Sequence, residues 1–163
     1  AGEKHILELL NGSGVIVRTS WLYSEHCQNF VKKMIRLMSE KSELGVVSDQ
    51  VGSPTSAHTL AKLLIKLIEN QSFCGIFHWC DGASITWYDF AVEIQEASHA
   101  QGLLKKRIPL SPLRSADFPT RVTRPLYSVL DRSYTLEKFA IIATDWRMEL
   151  GKVIKRISEK TED

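Results

Sequence analysis

The chain has 163 residues, 44% of them hydrophobic and 25% charged, which fits one compact globular domain able to bury a sizeable core. Twenty-one basic residues oppose nineteen acidic ones, and they are scattered along amphipathic segments instead of forming a stripe, so no nucleic-acid footprint is present. Cys27, Cys74 and Cys80 lack CxxC or metal-ligand spacing, and no apolar run approaches the roughly 20 residues needed to span a bilayer; the expectation is a soluble protein of the reducing cytoplasm, with no membrane contact.

Residues 1–10 read as a helix with Ile6, Leu9 and Leu10 on one face, closed by Gly12 and Gly14. Val15-Ile16-Val17 reads as a short strand of the kind covered on both faces in a parallel sheet. Phe30, Met34, Leu37 and Met38 recur at helical spacing over 28–40. Gly45-Val46-Val47 supplies a second strand and runs into a loop from Asp49 to Thr55, where Gly52 and Pro54 stop regular structure. A helix follows with Leu60, Leu63, Leu64, Leu67 and Ile68 as its stripe and Thr55 or Ser56 as its cap.

Gly75 to Trp79 reads as a third strand, and Thr86 with Asp89 has the spacing of a capping box before a helix carrying Phe90, Ala91, Ile94 and Ala97. Lys105-Lys106-Arg107 is a solvated loop, and 107–110 an edge strand, because Pro109 has no N–H to give to a ladder. Residues 111–130, with Pro112, Pro119 and Pro125, are expected to be irregular. Helices over 133–140 and 145–158 close the chain, the second with Leu150, Val153, Ile154 and Ile157 inward. Strands alternating with helices imply an α/β architecture with parallel pairing.

One feature of a complete nucleotide-binding oxidoreductase is missing: the nine glycines form no GxGxxG turn to cradle a pyrophosphate. Tyr134 and Lys138 have Tyr-x-x-x-Lys spacing, the pattern of a proton donor with a pKa-lowering lysine, and they fall in the helix read over 133–140. His5, His26, His58, His78 and His99 lack zinc-ligand spacing, and His78 reads as a satisfied core histidine. No serine sits in a GxSxG turn, which argues against a hydrolase triad.

Three segments in fixed order carry a resemblance: Arg18-Thr19-Ser20-Trp21-Leu22-Tyr23-Ser24, Asn29-Phe30-Val31-Lys32-Lys33-Met34, and Asp49-Gln50-Val51-Gly52-Ser53-Pro54-Thr55. With Thr86-Trp87-Tyr88-Asp89-Phe90-Ala91 and Arg124-Pro125-Leu126-Tyr127-Ser128-Val129-Leu130-Asp131, they resemble the carboxyl-terminal half of the dTDP-4-dehydrorhamnose reductases, extended short-chain dehydrogenases/reductases. The resemblance implies the later part of a Rossmann-like fold with a small substrate-binding region over 1–163. In the family a segment like Ala1-Gly2-Glu3 follows closely on the catalytic lysine. The expectation is therefore a chain lacking the amino-terminal cofactor-binding half and inactive alone. Val122-Thr123 before Arg-Pro, and Arg132-Ser133-Tyr134, depart from the family pattern.

The resemblance also implies roles, each with a plainer alternative. Trp21 would lie against the substrate sugar, or else be a core tryptophan. Thr19 and Ser20 would border the nicotinamide of NADPH, or cap a strand. Asn29 would meet a sugar or diphosphate oxygen, or cap a helix. Asp49, Gln50 and Thr55 would surround the pocket, or form turns. Arg124 would grip a nucleotide diphosphate or base, or form a surface ion pair. No metal ligand is carried over. The implied activity is NADPH-dependent reduction of dTDP-4-dehydro-6-deoxy-L-mannose to dTDP-L-rhamnose, with a dTDP sugar as partner and a homodimer as one outcome of exposed strand edges. The rivals are a noncatalytic subunit resembling the methionine adenosyltransferase beta subunit, and a nucleotide-sugar epimerase or dehydratase.

Overall fold

The computed structural model describes residues 2–70, 72–118 and 123–160. Pro119 and Val122 lie outside the described residues. Helix α1 (Gly2–Leu9) stops where predicted: Asn11 and Gly12 turn left-handed at φ 47° and 78°, and the Gly12 N–H returns to Leu7 O at 3.0 Å. Strand β1 (Val15–Thr19) follows, then the two-residue β2 (Leu22–Tyr23), α2 (Phe30–Glu40) and β3 (Leu44–Val47). The 49–56 segment contains β4 (Val51–Gly52) and β5 (Thr55–Ser56), two short pairings in what the sequence presents as a loop. Helix α3 (Ala57–Glu69), β6 (Gly75–Trp79), β7 (Ile85–Thr86) and α4 (Trp87–Ala100) come next. β8 (Leu110–Leu113), a 3-10 turn at Ser115–Asp117, α5 (Ser133–Phe139) and α6 (Trp146–Glu159) complete the order.

The strands form four pairs. β1 runs parallel to β6 in the register Val15↔Gly75 to Thr19↔Trp79; β2 with β5 and β3 with β8 are also parallel, and β4 with β7 is antiparallel. The parallel α/β reading therefore holds. The helix starts are chemically specified. Asn29 accepts from the Lys32 N–H, Ser56 from the His58 N–H and Asp145 from the Arg147 N–H, while Thr86 and Asp89 form the complete reciprocal box at 3.0 and 2.9 Å.

The main core joins α2, α4 and α6 around Phe90, Ile94, Leu150, Val153 and Ile154, none of them measurably accessible. Phe90 is its centre: Trp21, Tyr23, Phe30 and Trp146 all pack on it with ring centroids 5.5–6.2 Å away. A smaller cluster places Leu63 and Leu67 of α3 against Phe77, Trp79 and Phe139.

Five expectations need correction. No residue of α1 is buried, and Leu9 is 74% exposed; the helix is tied to β1 by the two-pronged Arg18–Glu3 pair at 2.6 and 2.8 Å. β1 is not covered on both faces either, since its pattern runs from exposed to half-buried and back. The α3 stripe is narrower than its spacing suggests: Ile68 is 75% exposed and Leu64 40%, while Thr59 is buried. Finally, the strand near Pro109 begins at Leu110 instead. The Gln95 side chain takes the peptide groups of Ile108, accepting its N–H at 2.9 Å and donating to its carbonyl at 3.1 Å, so ladder pairing starts beyond it and admits Pro112 opposite Val46. His78 has its ring partners, Asp131 O and Arg18, but it is half-buried and not a core residue.

Candidate functional site

The site grows from the carboxyl end of β1, the position where α/β proteins present side chains to ligands. Thr19 donates its hydroxyl to the Thr55 hydroxyl at 3.1 Å, and Ser20 donates to Ser53 O at 2.7 Å. The Thr55 N–H returns to Trp21 O at 3.2 Å. Ser53 in turn donates to Ala83 O at 2.6 Å. These bonds join the loop after β1 to the 49–56 loop and to the turn after β6. They bring Thr19, Ser20, Trp21 and Thr55 into one cluster.

Trp21 has a left-handed backbone, φ 46°, which is strained for a bulky residue. Its indole is clasped. One face stacks on Trp87 with centroids 3.5 Å apart and planes 12° from parallel. Over its Cε2, flanked by Cζ2 and Nε1, lies Gly52, where an added Cβ would sit only 2.5–2.7 Å from these three atoms, so this glycine serves close approach. Phe30 tilts onto Trp87 at 4.5 Å.

The remaining predicted residues sit around this centre. Asn29 caps α2, and its amide donates to Ser24 O and His26 O at 2.8 and 3.1 Å, so the whole side chain is occupied. Gln50 is buried and donates to Ser115 Oγ at 2.8 Å. Asp49 accepts the Ser115 N–H and hydroxyl, and these bonds hold its carboxyl below the usual carboxylate range. Arg124 is exposed, just upstream of a segment stitched to β4: the Val51 N–H donates to Leu126 O at 2.7 Å and the Ser128 N–H to Val51 O at 2.9 Å.

Sequence reasoning missed three parts. Asp81, at the carboxyl end of β6, is buried and accepts from the Ser56 N–H at 2.7 Å, Thr59 Oγ1 at 2.5 Å and Thr144 Oγ1 at 3.3 Å. Burial pushes its carboxyl up, against those hydrogen bonds. The only available signal was an acid directly after a strand. Glu25 is also buried, and His58 Nε2 reaches both its oxygens, at 2.8 and 3.1 Å. Burial raises this carboxyl, yet the His58 bond, with backbone and His26 contributions, holds it below its ordinary value. The third part is a recess of about 480 Å³ lined by Ser53, Cys80, Ser84, Tyr127, Asp131 and Arg132 among others. Arg132, one of the departures from the family pattern, donates to Cys80 O at 2.6 Å and fills the space where a Cβ on Gly82 would stand. Among the described residues no group of three or more His, Cys, Asp or Glu could hold a metal ion, and no helix is long and apolar enough to cross a membrane.

An α/β chain of mainly parallel pairs whose strand-end loops are stitched together is the later portion of a Rossmann-like extended short-chain dehydrogenase/reductase. The family model described as the RmlD substrate binding domain matches residues 1–159, and the chain belongs to that family. A dTDP-4-dehydrorhamnose reductase of Aggregatibacter actinomycetemcomitans is 36% identical over 157 residues, which are 93% of this chain and 53% of that protein. The solved dTDP-4-dehydrorhamnose reductase of Clostridium acetobutylicum superposes with a TM-score of 0.83 at 38% identity, covering 95% of this chain and 52% of the other. That of Bacillus anthracis, solved in complex with NADP, gives 0.78 at 32% identity, covering 87% and 48%. The chain spans about half the length of the curated relatives it matches.

Proposed function

We propose that this chain is the substrate-recognition portion of an NADPH-dependent dTDP-4-dehydrorhamnose reductase of the cytoplasm, which converts dTDP-4-dehydro-6-deoxy-L-mannose into dTDP-L-rhamnose. The observation that carries the reading is convergence: the loops ending β1, β3 and β6 and the Arg124–Asp131 segment are hydrogen-bonded to one another, and three of them, after β1, after β3 and at 124–131, bear segments resembling the reductases. The match over residues 1–159 and the reductase names of the relatives support it.

In this reading Trp21 and Arg124 meet the dTDP sugar, the indole beside the hexose and the guanidinium at the diphosphate or base. Thr55, Gln50 and Asn29 hold those loops in place through the bonds described above. Thr19, whose side chain is exposed at the strand end, and Ser20 border the nicotinamide of NADPH. The cofactor supplies the hydride. The chain contains no glycine turn for its pyrophosphate, and its Tyr134–Lys138 spacing lies on α5, where Tyr134 stacks on Phe77 and Lys138 sits over Phe73, so another Tyr-Lys pair would supply the proton. The chain alone is therefore inactive. The unpaired side of β1 is where further strands of an intact reductase pair, or where two copies associate as a homodimer.

The test is a chimera in which this chain replaces the corresponding half of the Clostridium acetobutylicum relative. NADPH oxidation dependent on dTDP-4-dehydrorhamnose is expected, with Trp21→Ala and Arg124→Ala each lowering kcat/KM by roughly tenfold or more. A folded chimera that binds NADPH but never oxidises it would favour the noncatalytic subunit.

A further inference from the structure

From the packing around Trp21 we infer that Trp87 is a positioning residue: it holds the Trp21 indole against Gly52 so that the N–H edge, and not the ring face, is offered to an oxygen-bearing ligand. The inference rests on the substrate-recognition reading and narrows it. A tryptophan that stacks on a sugar needs a free face. Here one face is taken by Trp87 at 3.5 Å and 12°, and the other is approached by Gly52 so closely that a Cβ would stand 2.5 Å from the ring. What remains is the rim, including Nε1–H, which has no acceptor among the described residues and is not among the sealed-off polar atoms. An indole N–H is a donor only, suited to a sugar hydroxyl or a phosphate oxygen.

Trp87 is well placed to govern this. It is the first residue of α4, whose start is fixed by the Thr86–Asp89 box, and Phe30 supports it at 4.5 Å. Trp21 needs support, because its left-handed backbone is strained; the Thr55 N–H, the Ser20–Ser53 bond and the ring contacts hold the loop in that form. The same arrangement explains why segments 18–24, 29–34, 49–55 and 86–91 keep company: each contributes one side of a single clasp.

The experiment uses the 163-residue chain, with dTDP-rhamnose as the probe in calorimetric titration and near-parallel indole stacking read from the exciton doublet in circular dichroism. Expected is a doublet in the wild type that disappears equally in Trp21→Phe and Trp87→Ala. Trp87→Ala should also weaken dTDP-rhamnose binding roughly three- to tenfold. The loss should not add to that of Trp21→Ala, since both variants remove the same arrangement. Gly52→Ala, which crowds the opposite face, should reproduce the binding defect should Trp87→Ala fail to fold. Trp21→Phe, which keeps a ring but no N–H, should bind as weakly as Trp21→Ala. Undiminished binding by Trp87→Ala or by Trp21→Phe would overturn the inference while leaving the substrate reading standing. A wild-type chain that shows the doublet but binds no dTDP sugar would overturn both.

Discussion

The two sides of the molecule are built to different standards. Around Phe90, helices α2, α4 and α6 close a dry core in which Val31, Ala91, Ile94, Leu150, Val153 and Ile154 are all fully buried. On the other side α1, β1 and α3 leave Leu9, Leu10, Val15, Ile65 and Ile68 in the open, and no residue of α1 is buried. The contrast shows which part of the fold this chain specifies by itself. The aromatic side supports itself and carries the Trp21 clasp. The β1 side presents a strand edge and apolar side chains awaiting cover.

The comparison breaks most readily at Phe90. Replacing it with Ala removes the ring on which four other aromatics converge, and should cost about 3–5 kcal/mol in a denaturant titration. A loss under about 1 kcal/mol would mean the aromatic side is not the stable one. Next comes Asp81→Ala, which leaves the Ser56 N–H and the Thr59 hydroxyl without their acceptor, at a cost of about 1–3 kcal/mol.

Acid sharpens the same contrast. Glu25 has a depressed folded value, so its contribution is present above the ordinary glutamate range and is lost as pH falls through the folded value. Asp81 runs the other way: its raised value means that stability declines as pH rises through it. Glu25→Gln should therefore lower Tm at neutral pH and flatten the acid limb of the Tm profile, whereas an unchanged acid limb would show that His58 does not hold this carboxylate in solution. The smallest effect belongs to the bare side. Ile68→Ser should shift stability by no more than about 0.5 kcal/mol, while reducing self-association in sedimentation velocity.

What could be read from the sequence was local. Asn29, Ser56 and the Thr86–Asp89 pair announce helix starts because a cap acts within three residues, and the apolar stripe of α2 needs only helical periodicity. The candidate site was legible as loops, not as geometry. Motif spacing located Trp21, Gln50 and Thr55, yet nothing in it revealed that Trp87 would lie on Trp21 from 66 positions away, or that Glu25 would meet His58. Periodicity misjudged α1 and Ile68 because it marks which face is apolar and not whether anything covers it. The strand near Pro109 was displaced because a side chain, Gln95, took the backbone groups that local rules reserve for a ladder.

Amide hydrogen exchange of the chain, with and without dTDP-rhamnose, tests most directly whether a sugar nucleotide docks on these loops. The account predicts ligand-dependent protection confined to residues 19–23, 49–56 and 124–130, with α1 and α3 unchanged. Protection absent from all three segments at saturating ligand, or appearing instead along α1 and α3, would contradict it.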